Sequence, residues 1–235
     1  MRASIWLKFN YSCMLELWLF LLSYVAHHGG NAVLLYKIQK KKSIDGICID
    51  TQVMFLIGAV LRVIWVTDSK LYRLPILWLE LPASIGIHSY ILYLCHKYKD
   101  ILYVETKKEY RWVVLVPLTL VLAFLFNPGD SWFSFQILVA ASMFVESVAL
   151  WPQLELLGRT VDASGMTKLY ALCMAVGRAV RLLFWLVMIA MGLVFWQLLL
   201  ADLLHLVLVW NFLRKNLSAV RGNKTFLLLS EKRRV

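Results

Sequence analysis

Long polar stretches are missing from this chain, and no segment reads as a soluble domain, a linker or a low-complexity tract. Acidic residues are scarce, 14 against 25 lysines and arginines, for a formal net charge of +11. The four cysteines, Cys13, Cys48, Cys95 and Cys173, lack the paired spacing of a zinc or redox site and read as small apolar residues. There is no nucleophile–base motif, no glycine-rich phosphate loop and no cluster of metal ligands. Neither an enzyme nor a cofactor or metal is therefore expected. The N-terminus has no basic start feeding into a small-residue cleavage site, so it is not read as a removed signal peptide.

Apolar sequence is what the chain has instead. Hydrophobic residues make up 61% of it, and its mean hydropathy is +0.70. A soluble domain is about 45–50% apolar, so this is an integral membrane protein. Apolar segments run over 14–36, 48–67, 74–95, 112–128, 132–157, 168–190 and 192–213. Each is near the ~20 residues that span a bilayer. The last two are joined by little more than Met191-Gly192. As one helix they would run about 69 Å, over twice the hydrocarbon thickness, so the chain must turn back there. The expected fold class is an all-α membrane protein of seven transmembrane helices. A lumenal extension (1–15) precedes the seven-helix domain (16–215), and a basic tail (216–235) follows it.

The basic residues are distributed as a membrane protein distributes them, which excludes a nucleic-acid partner. The loop 37–47 carries Lys37, Lys40, Lys41 and Lys42, and the loop 96–111 carries Lys97, Lys99, Lys107, Lys108 and Arg111. Arg159 and Lys168 flank the next loop on that side, and the tail adds Arg214, Lys215, Arg221, Lys224, Lys232, Arg233 and Arg234. The opposite side holds only Arg2, Lys8, Lys70 and Arg73. The basic side is cytosolic by the positive-inside rule, which places the N-terminus in the lumen and the tail in the cytosol. Basic tail residues serve either to engage an acidic coat surface or to meet anionic lipid.

Arg62, Arg178 and Arg181 fall inside the apolar segments. Arginine there is costly unless it faces the bundle interior and finds an anion, and the acids within reach are Glu80, Glu146 and Asp202. Arg62, about five residues from a segment end, has the further option of snorkelling. Arginines around a cavity suit bidentate capture of a carboxylate or phosphate, so an anionic ligand is expected. His27-His28-Gly29-Gly30 also sits within a span. His27 reads either as a proton switch or as a neutral imidazole tying helices together. The glycines permit a close helix approach or a local break. His88 and His205 read as packing residues.

The densest polar cluster is Phe144-Val-Glu-Ser-Val-Ala-Leu-Trp-Pro-Gln153. Pro152 removes one helical hydrogen bond and frees the Val148 carbonyl, which lipid cannot satisfy. Glu146 is either part of a functional site or a hydrogen-bonding joint between helices. Two glycine turns, Ser43-Ile-Asp-Gly46 and Asp162-Ala-Ser-Gly165, follow the first and fifth spans. They imply two parallel triple-helix repeats joined by a linker span, the plan of SWEET-type transporters.

Glu146-Ser-Val-Ala-Leu-Trp-Pro-Gln-Leu154 resembles the Glu-Ser-Val-Ala-x-x-Pro-Gln-Leu signature of the ER lumen protein retaining (KDEL) receptors. Gly46 with Gln52-Val53, Lys97-Tyr-Lys99, Val116-Pro117, Ala123-Phe-Leu-Phe-Asn127, Tyr170, Arg178 and Trp185 extend the likeness over about residues 16–230. The resemblance implies a receptor in ER and Golgi membranes. Such receptors bind the C-terminal Lys/His-Asp-Glu-Leu peptides of escaped lumenal proteins and return them to the ER in coated vesicles. It further implies that Arg62 contacts the cargo tail and that Glu146 and Arg178 form a polar core. His27 would take a proton, and Gln136 would stand where the family has a cargo-contacting glutamate. Pro152, Gln153, Gly46 and Gln52 would be structural, and Arg221, Lys224, Lys232, Arg233 and Arg234 a coat signal. Elsewhere the chain departs. A first-span arginine is replaced by Phe20, and a sixth-span tyrosine, asparagine and arginine by Gly177, Phe184 and Met188. Asn211 replaces a seventh-span aspartate. Arg181, seven residues before Met188 on nearly the same helix face, offers a substitute guanidinium. A small-solute transporter and a relative that has lost retrieval are the alternative functions.

Overall fold

The computed structural model describes residues 2–68, 75–99, 106–127, 135–159, 165–193 and 196–232. Their side chains are described from 15 to 214, apart from 68 and 75–77. Among these residues lie seven α-helices: α1 (Arg2–Lys41), α2 (Ile49–Asp68), α3 (Pro75–Lys97), α4 (Trp112–Leu125), α5 (Gln136–Arg159), α6 (Gly165–Ala190) and α7 (Trp196–Lys232). A 3-10 turn, Lys108–Tyr110, precedes α4. By length and composition alone, α2, α5, α6 and the first part of α7 are apolar enough to cross a membrane, and α4 is a shorter apolar helix.

Helix ends follow from local chemistry. Gly46 takes φ +67°, a conformation open to glycine without strain, and lets the chain reverse from α1 into α2. Gly192 does the same between α6 and α7 at φ +85°. There Leu193 N–H reaches the Met188 carbonyl at 3.0 Å and Gly192 N–H the Ile189 carbonyl at 2.9 Å. Those two bonds make a Schellman cap, the reversal that the spacing of the last two segments demands. The second expected glycine turn, at 162–165, lies outside the described residues except for Gly165, the first residue of α6. Asp50, in the first turn of α2, accepts from Trp112 N–H at 3.3 Å and so caps α4 from a neighbouring helix.

The packing repeats itself. α1 packs mainly on α6 and α2 on α5. α3 touches both α1 and α2, as α7 touches both α5 and α6. Exchanging α1 with α5, α2 with α6 and α3 with α7 leaves this pattern unchanged, which is what two triple-helix repeats with a linker α4 require. α5 is the central helix, buried almost without interruption from Ala140 to Leu150. A helix that is apolar all round belongs in such a position. Its small residues Ala140, Ala141, Ser142, Ser147 and Ala149 admit close neighbours. The outer surface is apolar, with Val25, Leu79, Leu125 and Trp210 exposed, as expected where the solvent is lipid.

α5 runs through Pro152 as a continuous helix. The carbonyl of Ser147, one residue before the expected Val148, accepts from His205 Nδ1 of α7 at 2.8 Å. His205 is thus a strut beside the proline rather than simple packing.

Candidate functional site

Six ionisable side chains from five helices form a cluster centred on Glu146. Arg62 of α2 places Nη2 2.8 Å from Glu146 Oε1. Arg178 of α6 places Nη2 2.6 Å from Oε2, with Arg181 Nη1 3.7 Å from the same oxygen. Arg178 and Arg181 then share Asp202 of α7, through Nη1 at 2.9 Å and Nη2 at 2.8 Å to Oδ1. Arg181 Nε adds 2.9 Å to Oδ2, and Trp185 Nε1 donates to that oxygen at 2.8 Å. On the far side, Arg62 Nη1 donates to the Tyr24 hydroxyl at 3.0 Å and lies 3.6 Å from Glu80 Oε1 of α3. Three arginines and three carboxylates give the cluster zero formal charge. Glu146, Arg178, Arg181 and Asp202 are buried, with Asp202 fully enclosed. Such a group is tolerable in a low-dielectric interior only when paired in this way.

Grip on the arginines is uneven. Asp202 receives a forked Arg181 and an indole, the strong bidentate arrangement. Glu80 has neither oxygen within hydrogen-bonding geometry of a donor among the described residues. Arg62 therefore has one close carboxylate, Glu146, where Arg178 has two and Arg181 is forked on Asp202.

The cavity at this cluster is small. Ser23, Tyr24, His27, Met174 and Gly177 line it together with Arg62, Glu146, Arg178 and Arg181, and its volume is about 10 Å³. That is the room one water molecule needs. Helix α1 closes it by lying directly on α6. A Cβ placed on Gly177 would stand 3.0 Å from the Ser23 carbonyl, and one on Gly30 3.1 Å from Cys173 Cβ. Gly30 thus serves close approach while Gly29 faces open space, and neither breaks α1, which is continuous through both. A Cβ on Gly58 would reach 2.7 Å from Glu146 Cγ, so α2 presses equally hard on the central acid. The two positions where the resemblance places an arginine and an asparagine, Phe20 and Phe184, meet each other with ring centroids 5.8 Å apart. Phe184 stacks edgewise on Trp185 at 4.8 Å. Aromatic contacts thus replace polar groups beside the ion cluster.

A second polar chain leads away from the cluster. Gln52 Nε2 donates to the Tyr170 hydroxyl at 2.8 Å, and its Oε1 accepts from His88 Nδ1 at 3.1 Å. His88 Nε2 then faces Asn31 Nδ2 at 3.4 Å and His27 Nε2 at 3.5 Å. With Nδ1 donating, His88 Nε2 is the acceptor in both contacts. His88 is therefore the joint between α1, α2 and α3.

Gln153 and Lys37 lock the turn between α1 and α2. Gln153 Nε2 donates to the Gly46 carbonyl at 2.6 Å, and its Oε1 accepts from Cys48 N–H at 2.9 Å. Lys37, fully buried, donates to the Asp45 carbonyl and, at 2.6 Å, to Thr167 Oγ1 of α6.

Of the residues singled out in the sequence, Arg62, Glu146, Arg178, Arg181 and His27 converge on one cavity. Gln136 stands apart, exposed at the first turn of α5 and about 15 Å along the helix from Glu146. Gly46, Gln52 and Gln153 are structural joints. The side chains of Arg221, Lys224 and Lys232 and the whole of Arg233 and Arg234 lie outside the described residues, as do those of Arg2, Lys8, Lys70 and Arg73. Sequence reading missed Tyr24, Asn31 and Lys37 as partners. A tyrosine and an amide inside an apolar segment and a lysine at its edge give little signal until the facing helix is known.

Comparison with known proteins identifies the family. The family profile described as ER lumen protein retaining receptor matches residues 43–188. The ER lumen protein-retaining receptor of Petunia hybrida is 30% identical over 164 residues, covering 68% of this chain and 74% of the relative. ER lumen protein-retaining receptor 2 of Danio rerio is 30% identical over 165 residues with the same coverage. ER lumen protein-retaining receptor B of Arabidopsis thaliana is 29% identical over 164 residues. The matched region contains all three arginines, Glu146 and the Pro152-Gln153 joint, and the chain belongs to the ER lumen protein retaining receptor family.

Proposed function

We propose that this protein is a retrieval receptor of ER and Golgi membranes. Its cargo is the C-terminal carboxylate of lumenal proteins ending in KDEL- or HDEL-like peptides. The observation that carries this reading is the buried cluster in which Arg62, Arg178 and Arg181 are held by Glu80, Glu146 and Asp202. A cluster of zero charge keeps three guanidiniums in a membrane interior at tolerable cost. An arriving carboxylate then takes over an arginine from an internal acid. Arg62 is the first to be exchanged, because it has one close carboxylate, Glu146 at 2.8 Å, where Arg178 has two and Arg181 is forked on Asp202. Arg181 supplies the second contact, and Gln136 meets the peptide farther toward the lumen.

His27 lines the same cavity and faces His88. Protonation of His27 leaves its Nε2 donating to His88 but adds a positive charge to α1 at this cavity, and so couples acidification to the α1–α3 contact. The basic tail, from Arg221 through Arg234, engages the vesicle coat for the return journey, in a membrane whose anionic lipid it also meets.

The test is binding of a peptide ending in KDEL to the purified receptor at acidic and neutral pH. Binding is expected at the acidic pH, lost at every pH in Arg62→Ala, only partly recovered in Arg62→Lys, and flattened in its pH profile by His27→Ala. Equal binding to Arg62→Ala would overturn the assignment. A second reading, a relative that no longer retrieves cargo, is favoured by the Phe20–Phe184 contact and by the closure of α1 on α6. It expects no binding at either pH.

A further inference from the structure

The three acids of the ion cluster are held unequally, and Glu80 is held least. Its side chain is 9% exposed, yet neither oxygen has a hydrogen-bond partner among the described residues, and Arg62 Nη1 lies 3.6 Å from Oε1. Glu146, by contrast, lies 2.8 Å from Arg62 and 2.6 Å from Arg178. Asp202 accepts from Arg178, Arg181 and Trp185 at 2.8 to 3.2 Å. A proton added to Glu146 or Asp202 would cost charge-assisted hydrogen bonds, whereas one added to Glu80 costs none. The titratable and charged groups around Glu80 are Tyr24 and His28 of α1, Arg62 of α2, Glu146 of α5 and Arg181 of α6. Arg62 does not depend on Glu80 for its position, because the Tyr24 hydroxyl and Glu146 hold it at 3.0 and 2.8 Å.

Charge decides what an incoming carboxylate requires. Glu80, Glu146 and Asp202 already balance Arg62, Arg178 and Arg181, so a carboxylate that pairs with Arg62 while all three acids stay ionised leaves the buried cluster with one negative charge in excess. It would also set a third carboxylate beside Glu80 and Glu146 on one guanidinium. An interior of low dielectric penalises such an excess heavily. One proton on Glu80 restores neutrality. It also converts a repelling carboxylate into a carboxylic acid, whose O–H can donate to the newcomer.

We propose that Glu80 is the proton acceptor of the anion site: ionised beside Arg62 in the empty protein, it takes up one proton for each ligand carboxylate that binds Arg62. The inference rests on the reading of this cluster as a carboxylate site, and it assigns that site a second titrating group besides His27. Glu80 loses a negative charge on acidification and His27 gains a positive one, so both tighten anion binding as the pH falls. Because binding takes up the Glu80 proton, affinity falls by up to about tenfold per unit rise in pH on that account alone. His27→Ala then flattens the pH profile without abolishing it.

The test uses the full-length protein in nanodiscs and two probes, N-acetyl-leucine as a minimal carboxylate and a peptide ending in KDEL. Glu80→Gln, which fixes the neutral form, should bind N-acetyl-leucine at neutral pH about tenfold more tightly than the wild type, with the gap closing at acidic pH. A residue that served packing alone would not gain affinity when changed. In the wild type, infrared difference spectra on binding, with the ligand isotope-labelled at its carboxyl, should gain the carbonyl band of a protonated carboxyl group. The band should persist in His27→Ala and be absent in Glu80→Gln. Should Glu80→Gln fail to fold, the other two spectra still decide, because protonation of His27 or His28 gives no such band. Binding of both probes without the band, or with no gain in neutral-pH affinity in Glu80→Gln, would overturn the role of Glu80 and leave the retrieval reading standing. Binding of N-acetyl-leucine with the band, but not of the peptide, would overturn the retrieval reading and support Glu80. Binding of neither probe would overturn both.

Discussion

Replacing Glu146 by glutamine keeps the shape of the side chain and removes the charge on which the cluster turns. Glu146 is 2% exposed and faces Arg62 at 2.8 Å and Arg178 at 2.6 Å. Without it, three guanidiniums share two acids, and a charge of +1 is left in the protein interior. Breaking a buried pair in this way costs about 3–5 kcal/mol. For a domain of this size that lowers Tm by about 6–20 °C. The change is read by melting the detergent-solubilised protein and following the monodisperse peak by size exclusion. The companion variant Glu146→Gln/Arg178→Gln restores neutrality. Asp202 remains held by the fork of Arg181 and by Trp185 in that variant. The double variant should therefore melt above Glu146→Gln alone, the non-additivity expected of residues in one network. A shift below about 2 °C for the single variant, or a double variant less stable than it, would refute the charge-balance reasoning.

Other outcomes follow from the same contacts. Gly177→Ala places a methyl 3.0 Å from the Ser23 carbonyl and should cost about 1–3 kcal/mol, seen as a lower melting temperature, because a backbone atom gives way poorly. Gln153→Ala leaves the Gly46 carbonyl and Cys48 N–H without their partner and should cost about 1–3 kcal/mol for each, with protease cleavage rising in the 43–48 turn. A tag at Val235 should be reached by antibody when only the plasma membrane is permeabilised, and the sequons Asn216-Leu-Ser218 and Asn223-Lys-Thr225 should carry no glycan. Glycosylation at either sequon would reverse the orientation.

The amino-acid sequence by itself determined the class of molecule, the approximate helices and the reversal at Gly192. Runs of apolar residues near the length of a bilayer have few structural solutions, and glycine is the residue that tolerates the dihedrals of a tight reversal. It also named the three arginines and the three acids, because charges are conspicuous in apolar surroundings. What only the tertiary structure decided is who faces whom. Arg62 meets Glu80 across α2 and α3, and Arg178 meets Glu146 and Asp202 across α5 and α7. Spacing along one helix carries no record of the rotation of another. His88 likewise looked like packing until α2 placed Gln52 beside it. The size of the cavity was equally hidden. It depends on a glycine at 177 letting α1 settle on α6, and on Phe20 finding Phe184. Each is a property of two surfaces in contact, and neither surface alone contains it.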